Sequence, residues 1–173
     1  MTRPTTIFIV DDDPFQLDLL SDHLSKMSHY KISTFATGEE CLKNMDKNPD
    51  VIFLDYYLNS VVKDAMDGLD VLQEIKRVKP DTDVIMLSGQ DKIEVAVEVM
   101  KYGAFDYIVK GESSFYRAEK AVFNIYRFHK MKKDASTYKK LTYLFGIAFV
   151  LLIVTILILQ HYKIITGNPG ILF

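Results

Sequence analysis

Five short apolar runs, at residues 6–10, 31–35, 51–54, 84–87 and 107–109, punctuate roughly the first 125 residues, with helical spacing between them. Runs such as Ile7-Phe8-Ile9-Val10 and Val51-Ile52-Phe53-Leu54 are continuously apolar rather than alternating. That is the signature of strands covered on both faces. In the gaps, Leu17, Leu20, Leu24 and Met27 recur every three or four residues, as do Leu69, Leu72 and Ile75. Ile93, Val97 and Met100 repeat the pattern, and so do Phe115, Ala118, Val122 and Ile125. Pro14 suits a first helical turn, Thr37-Gly38-Glu39-Glu40 a helix start and Gly103 a helix stop. Strand and helix alternate five times, which predicts an α/β fold: a doubly wound parallel sheet between helices.

Bulk properties narrow the function. A net charge of −2 lacks the cationic excess that phosphate neutralisation demands, so nucleic acid is not an expected partner. Cys41 is the only cysteine, which excludes a disulfide framework and a cysteine metal site; a buried thiol in a reducing cytosol is expected. The polar start of the chain leads into an apolar run of only four residues, Ile7 to Val10, too short for a secretory signal.

In an open parallel sheet the ligand site lies beyond the carboxyl ends of the strands. Asp11, Asp12 and Asp13 follow the first run, Asp55 the third, Ser88 the fourth and Lys110 the fifth. Clustered carboxylates repel unless a cation sits among them, and hard oxygen ligands suit Mg²⁺. A carboxylate beside that metal can attack phosphorus and form an acyl phosphate. The metal and Lys110 would offset charge on the transferring group. One acid, hydroxyl or lysine after a strand is ordinarily a turn or cap; the joint set in this order is what points to chemistry.

These residues resemble a known family. Ile7-Phe8-Ile9-Val10-Asp11-Asp12-Asp13-Pro14, Val51-Ile52-Phe53-Leu54-Asp55 and Val84-Ile85-Met86-Leu87-Ser88-Gly89 are similar to the receiver domain of two-component response regulators (the CheY-like superfamily). The segment from Ala96 to Lys110 resembles that family's fourth helix and fifth strand. The likeness covers about residues 4–128. It implies a five-stranded parallel sheet of flavodoxin-like order 2-1-3-4-5 with five helices. It also implies that Asp55 is the phosphoacceptor and that Mg²⁺ is held by Asp11, Asp12, Asp55 and the backbone carbonyl of Tyr57. Ser88 would bind the phosphoryl group, Tyr107 would follow as an aromatic switch, and Lys110 would pair with phosphate. Asp13 carries no ligand role and is expected to be a first-turn acid facing the helix dipole. The implied donor is a histidine kinase or histidine phosphotransfer protein. An unidentified target would bind the face of the fourth helix, fifth strand and fifth helix; a second copy of the chain, as a homodimer, is a further candidate partner.

Three departures stand out. The family usually follows its phosphoacceptor with a short Met-Pro loop; here Met66-Asp67-Gly68 is reached only after Asn59-Ser60-Val61-Val62-Lys63-Asp64-Ala65. That insertion either shapes partner recognition or is a tolerated surface loop, since closure entropy rises slowly with length. Lys110-Gly111 replaces a Lys-Pro with a cis peptide, giving a freer loop. Tyr57 and Gln90 hold positions that, by the resemblance, govern water access to the acyl phosphate; a bulky Tyr57 is expected to prolong the phosphorylated state.

Residues 141–159 carry no charge, and only Thr142 and Thr155 are clearly polar. Nineteen helical residues span about 28 Å, the thickness of a bilayer's hydrocarbon. No polar face is present, unlike a helix buried at the edge of a globular core. Arg127, Lys130, Lys132, Lys133, Lys139 and Lys140 precede the span, against Asp134 alone, and Lys163 is the one cation after it. The positive-inside rule then puts the receiver in the cytoplasm of a single-pass protein of the cell membrane, with Tyr138, Tyr143 and Tyr162 at the interfaces. The basic flank also suits anionic lipid. The expected organisation is a receiver at 1–128, a basic juxtamembrane stretch at 129–140, a span at 141–160 and an outer tail at 161–173.

The leading reading is therefore a membrane-anchored phosphoacceptor switch, regulatory rather than enzymatic. A phosphate-independent tethered scaffold is the alternative. A third, a phosphatase of the haloacid-dehalogenase type using Asp11 as nucleophile, is opposed by Phe15, where that motif expects Thr or Val.

Overall fold

The computed structural model describes residues 5–27, 30–58 and 66–165. The insertion at residues 59–65 and the side chains of Tyr162 and Lys163 lie outside the described residues. Strands β1 (Thr5–Val10), β2 (Tyr30–Phe35), β3 (Val51–Asp55), β4 (Asp83–Ser88) and β5 (Asp106–Val109) alternate with α1 (Pro14–Ser25), α2 (Gly38–Lys43), α3 (Gly68–Val78), α4 (Ile93–Lys101) and α5 (Ser114–Ile165). The five strands form one sheet in the order β2-β1-β3-β4-β5, and every pairing is parallel. This is the expected doubly wound, flavodoxin-like arrangement.

Strand periodicity sorts the core into two layers. Phe8, Val10, Ile52, Leu54, Val84 and Met86 point to one face, where they meet Cys41 of α2, Val71, Leu72 and Ile75 of α3, and Val99 of α4. Their neighbours Ile7, Ile9, Val51, Phe53, Ile85 and Leu87 point to the other, against Leu17, Leu20 and Leu24 of α1 and Ala118, Val122 and Ile125 of α5. Both faces are sealed, so the continuous apolar runs are explained by two-sided burial. Each such side chain contributes roughly 1.5–3 kcal/mol on burial, which fixes the strand ends that carry the site. Cys41 is fully buried, and that burial pushes its thiol up to about 12.

The helix starts are capped as their residues dictate. Asp13 precedes Pro14 and accepts the Phe15 N–H at 2.9 Å, so it serves as the N-cap of α1 rather than a first-turn acid. Thr37 caps α2 and Asp67 caps α3. Gly103, at φ +91, ends the turn after α4 in a conformation that side chains resist. Two details differ from the apolar spacing. Met27 lies beyond the end of α1. On α4, Ile93, Val97 and Met100 face solvent, while Val99 is the buried residue and Val95 packs beside it. An amphipathic repeat identifies a helix without saying which of two apolar stripes turns inward.

The chain divides into two compact units, Met1–Tyr126 and Arg127–Phe173. In the second, the apolar segment is not a separate helix but the continuation of α5. Neither Gly nor Pro occurs between Gly111 and Gly146, so nothing interrupts the backbone ladder. One window of this helix has a mean hydropathy of 2.8 with no part of it buried, long and apolar enough to cross a membrane. The two threonine hydroxyls of the apolar stretch are satisfied within the helix: Thr142 donates to the Tyr138 carbonyl and Thr155 to that of Leu152.

Candidate functional site: an acidic pocket at the strand ends

Parallel register brings the ends of β1, β3, β4 and β5 to one edge of the sheet. Asp55, the last residue of β3, lies opposite Leu87, and Ser88, the last of β4, opposite Val109. Backbone bonds clamp these ends: the Tyr56 N–H donates to Leu87 and the Lys110 N–H to Ser88. Asp11, just past β1, donates its N–H to the Phe35 carbonyl, and its side chain accepts the Asp13 N–H at 3.0 Å.

Asp11, Asp12 and Asp55 converge so that one carboxylate oxygen from each lies within 4.8 Å of the others. Lys110 closes the group, its Nζ 2.6 Å from Asp11 Oδ2 and 3.0 Å from Asp55 Oδ1. The second approach is near enough for an ion pair but off-line for a directed hydrogen bond. Asp55 Oδ1 is thus a buried oxygen to which no described residue donates.

Electrostatics follow from this geometry. Burial raises the Asp55 carboxyl to about 6, with Lys110 opposing the shift and the charges of Asp11 and Asp12 adding to it. Burial likewise raises Asp11, against the pull of Lys110. For Lys110, burial works against the charged form, but Asp55 and Asp11 together outweigh it and its pKa is raised. Three carboxylates against one ammonium leave excess negative charge in a poorly solvated pocket. An all-oxygen donor set with an unsatisfied buried oxygen fits a hard divalent cation such as Mg²⁺.

Ser88, Gln90 and Tyr107 form a second, linked group. The Ser88 hydroxyl donates to the Gln90 carbonyl at 3.3 Å and accepts the Gln90 N–H at 3.2 Å. Tyr107 donates its hydroxyl to the same carbonyl at 2.6 Å, while its ring packs against the core layer of α2–α4. Arg117 of α5 donates to the Tyr107 carbonyl. Tyr57 is partly exposed and its ring stands edge-on to Tyr56, centroids 4.9 Å apart.

Two residues to which the sequence assigned no role at the site help build the pocket. A Cβ on Gly68 would lie 2.2 Å from the Asp55 carbonyl oxygen, so only glycine lets α3 approach β3 there. Glu39 of α2 accepts the Met66 N–H at 2.9 Å, tying down the chain beyond the insertion. Gly68 was visible as part of Met66-Asp67-Gly68. Glu39 carried no signal beyond that of a helix start, because its partner lies 27 residues away.

A doubly wound sheet with carboxylates, a hydroxyl and a lysine at its carboxyl edge defines a flavodoxin-like protein with an acidic pocket. Residues 7–115 match the response regulator receiver domain, and the chain belongs to that family. Receiver domains are regulatory phosphoacceptors that bind Mg²⁺ at an acidic pocket and interact with histidine kinases or phosphotransfer proteins. The chain is similar to the nitrogen assimilation regulatory protein NtrX of Azorhizobium caulinodans, 37% identical over 105 residues, covering 60% of this chain and 22% of that protein. The receiver domain of NtrX from Brucella abortus superposes with a TM-score of 0.58 at 34% identity, over 66% of this chain and 96% of that one. The complex of CheX, CheY, BeF3 and Mg²⁺ from Borrelia burgdorferi aligns at a TM-score of 0.62 and 28% identity, over 71% and 90%. The chain spans between 22% and 60% of the length of the first curated relatives it matches.

Proposed function

We propose that this protein is a membrane-anchored phosphorelay switch, phosphorylated on Asp55 in a Mg²⁺-dependent reaction. The observation that carries this reading is the buried Asp55 oxygen, without a donor, between two further carboxylates and Lys110. A Borrelia relative whose complex holds BeF3 and Mg²⁺ supports it. Asp11, Asp12, Asp55 and the Tyr57 carbonyl would hold the metal, which supplies charge neutralisation for an incoming phosphoryl group.

The Asp55 carboxylate attacks phosphorus on a phosphohistidine of the donor kinase or phosphotransfer protein. An O–P bond forms as the N–P bond breaks, and the electron pair returns to the imidazole. Lys110 holds a phosphoryl oxygen. Ser88 gives up its two contacts with Gln90 to donate to another, and Tyr107, which shares the Gln90 carbonyl, is freed to move. The rearranged face of α4, β5 and the start of α5 then binds the target. Tyr57 shields the acyl phosphate from water and lengthens its life.

The basic residues 127–140 and the apolar residues 141–159 favour a single span with the receiver on the cytoplasmic side. On this reading 1–128 is the receiver, 129–140 the juxtamembrane part of α5, 141–160 the span and 161–173 the outer tail. To test the chemistry, the full chain in detergent is incubated with Mg²⁺ and acetyl phosphate, and the acid-stable, base-labile label is mapped. Label on Asp55 is expected. Label on Asp11 would instead indicate a phosphatase, and no label a phosphate-independent scaffold.

A further inference from the structure

Within residues 127–140 the only apolar side chains are Phe128, Met131, Ala135 and Tyr138, spaced three, four and three apart. On the uninterrupted helix α5 that spacing draws one narrow stripe, the a and d positions of a heptad. All four residues are exposed. The stripe continues in register through Thr142, Phe145 and Phe149 of the apolar segment.

Lipid does not cover the near end of this stripe. At 1.5 Å per residue, Phe128 stands about 20 Å along the axis from Leu141, and Met131 about 15 Å. Headgroups add only roughly 5–8 Å to each side of the hydrocarbon. Those two side chains therefore stand in water, where an exposed apolar seam calls for a protein partner.

Charge indicates which partner. In a parallel pair, a g residue faces the e residue five positions later on the other helix. Asp134 is a g position and Lys139 the matching e position, so two copies place opposite charges across both sides of the seam. Arg127 and Lys132 stand in the same relation with like charges, an exposed repulsion that salt screens and that weakens the receiver end of the seam without opening it. Chains inserted in one membrane with one orientation are already parallel. Gly146, a small residue at the next e position, permits close approach within the span.

We infer that the partner is a second copy of this chain, paired in parallel along the stripe from Phe128 through Tyr138 and on into the span. The inference rests on the membrane reading above. It is tested in membranes holding the full chain, with the fully buried Cys41 left in place as background. Single cysteines are introduced on the stripe (Met131→Cys, Ala135→Cys, Tyr138→Cys) and off it (Lys130→Cys, Lys133→Cys, Lys140→Cys), followed by copper-phenanthroline oxidation. Disulfide-linked dimer is expected at the first three, severalfold above the second three. In the Ala135→Cys background, Asp134→Lys should lower the yield roughly two- to tenfold, and adding Lys139→Asp should restore it. Equal yields at all six positions, or a maximum off the stripe, overturn the pairing. Carbonate extraction of the same membranes separates the two claims. A retained chain without the periodic pattern refutes pairing alone. An extracted chain with the pattern refutes the membrane reading alone, and an extracted chain without it refutes both.

Discussion

Asp55 sits among carboxylates in a pocket that disfavours its charge, and this sets the pH behaviour of the metal-free protein. Its carboxyl rises from 3.8 to about 6 on folding, so the folded state binds the proton more tightly than the unfolded chain. Stability from this group is therefore full below about pH 4, falls as pH rises towards 6 and stays low above it, the reverse of a salt-bridged carboxylate. Up to about 3 kcal/mol is involved. Asp55→Asn is expected to raise the metal-free melting temperature at pH 7.5 and to flatten its dependence between pH 4 and 6, measured by thermal denaturation. Mg²⁺ should stabilise the wild type and do so far less for the variant. Tyr57→Ala tests the shielding role: severalfold faster loss of label from the phosphorylated chain is expected, and an unchanged or slower loss would count against it.

At the scale of elements, the strand ends and the loops that follow them carry the candidate site. Gly68→Ala forces a methyl group onto the Asp55 carbonyl and should cost about 1–3 kcal/mol in chemical denaturation while slowing phosphorylation. The strands were legible because two-sided burial writes continuous apolar runs into the chain, and Asp55, Ser88 and Lys110 could be placed by counting to the end of each run. The inward face of α4 was not legible. Ile93, Val97 and Met100 form as good a helical stripe as Val95 and Val99, and only the packed sheet chooses between them. The contacts around Gln90 were hidden for another reason. They run through its backbone, which every residue type provides, so no side-chain pattern announces them.

At the scale of the molecule, a receiver and an apolar helix share one chain, and α5 belongs to both. Composition made the apolar stretch obvious. The continuity of the helix follows from the lack of any breaker between Ile125 and Leu141, an absence that is easy to overlook beside a sharp change in hydropathy. The full chain is expected to stay with the membrane pellet in alkaline carbonate, and a chain ending at Asp134 to appear in the supernatant. The most direct test of the central claim is intact-mass analysis of the full chain after acetyl phosphate treatment, with Mg²⁺ or with EDTA. A single added phosphoryl group with Mg²⁺, abolished by EDTA and by Asp55→Asn, is the expected result. Phosphoryl addition that survives Asp55→Asn, or that proceeds equally in EDTA, would contradict it.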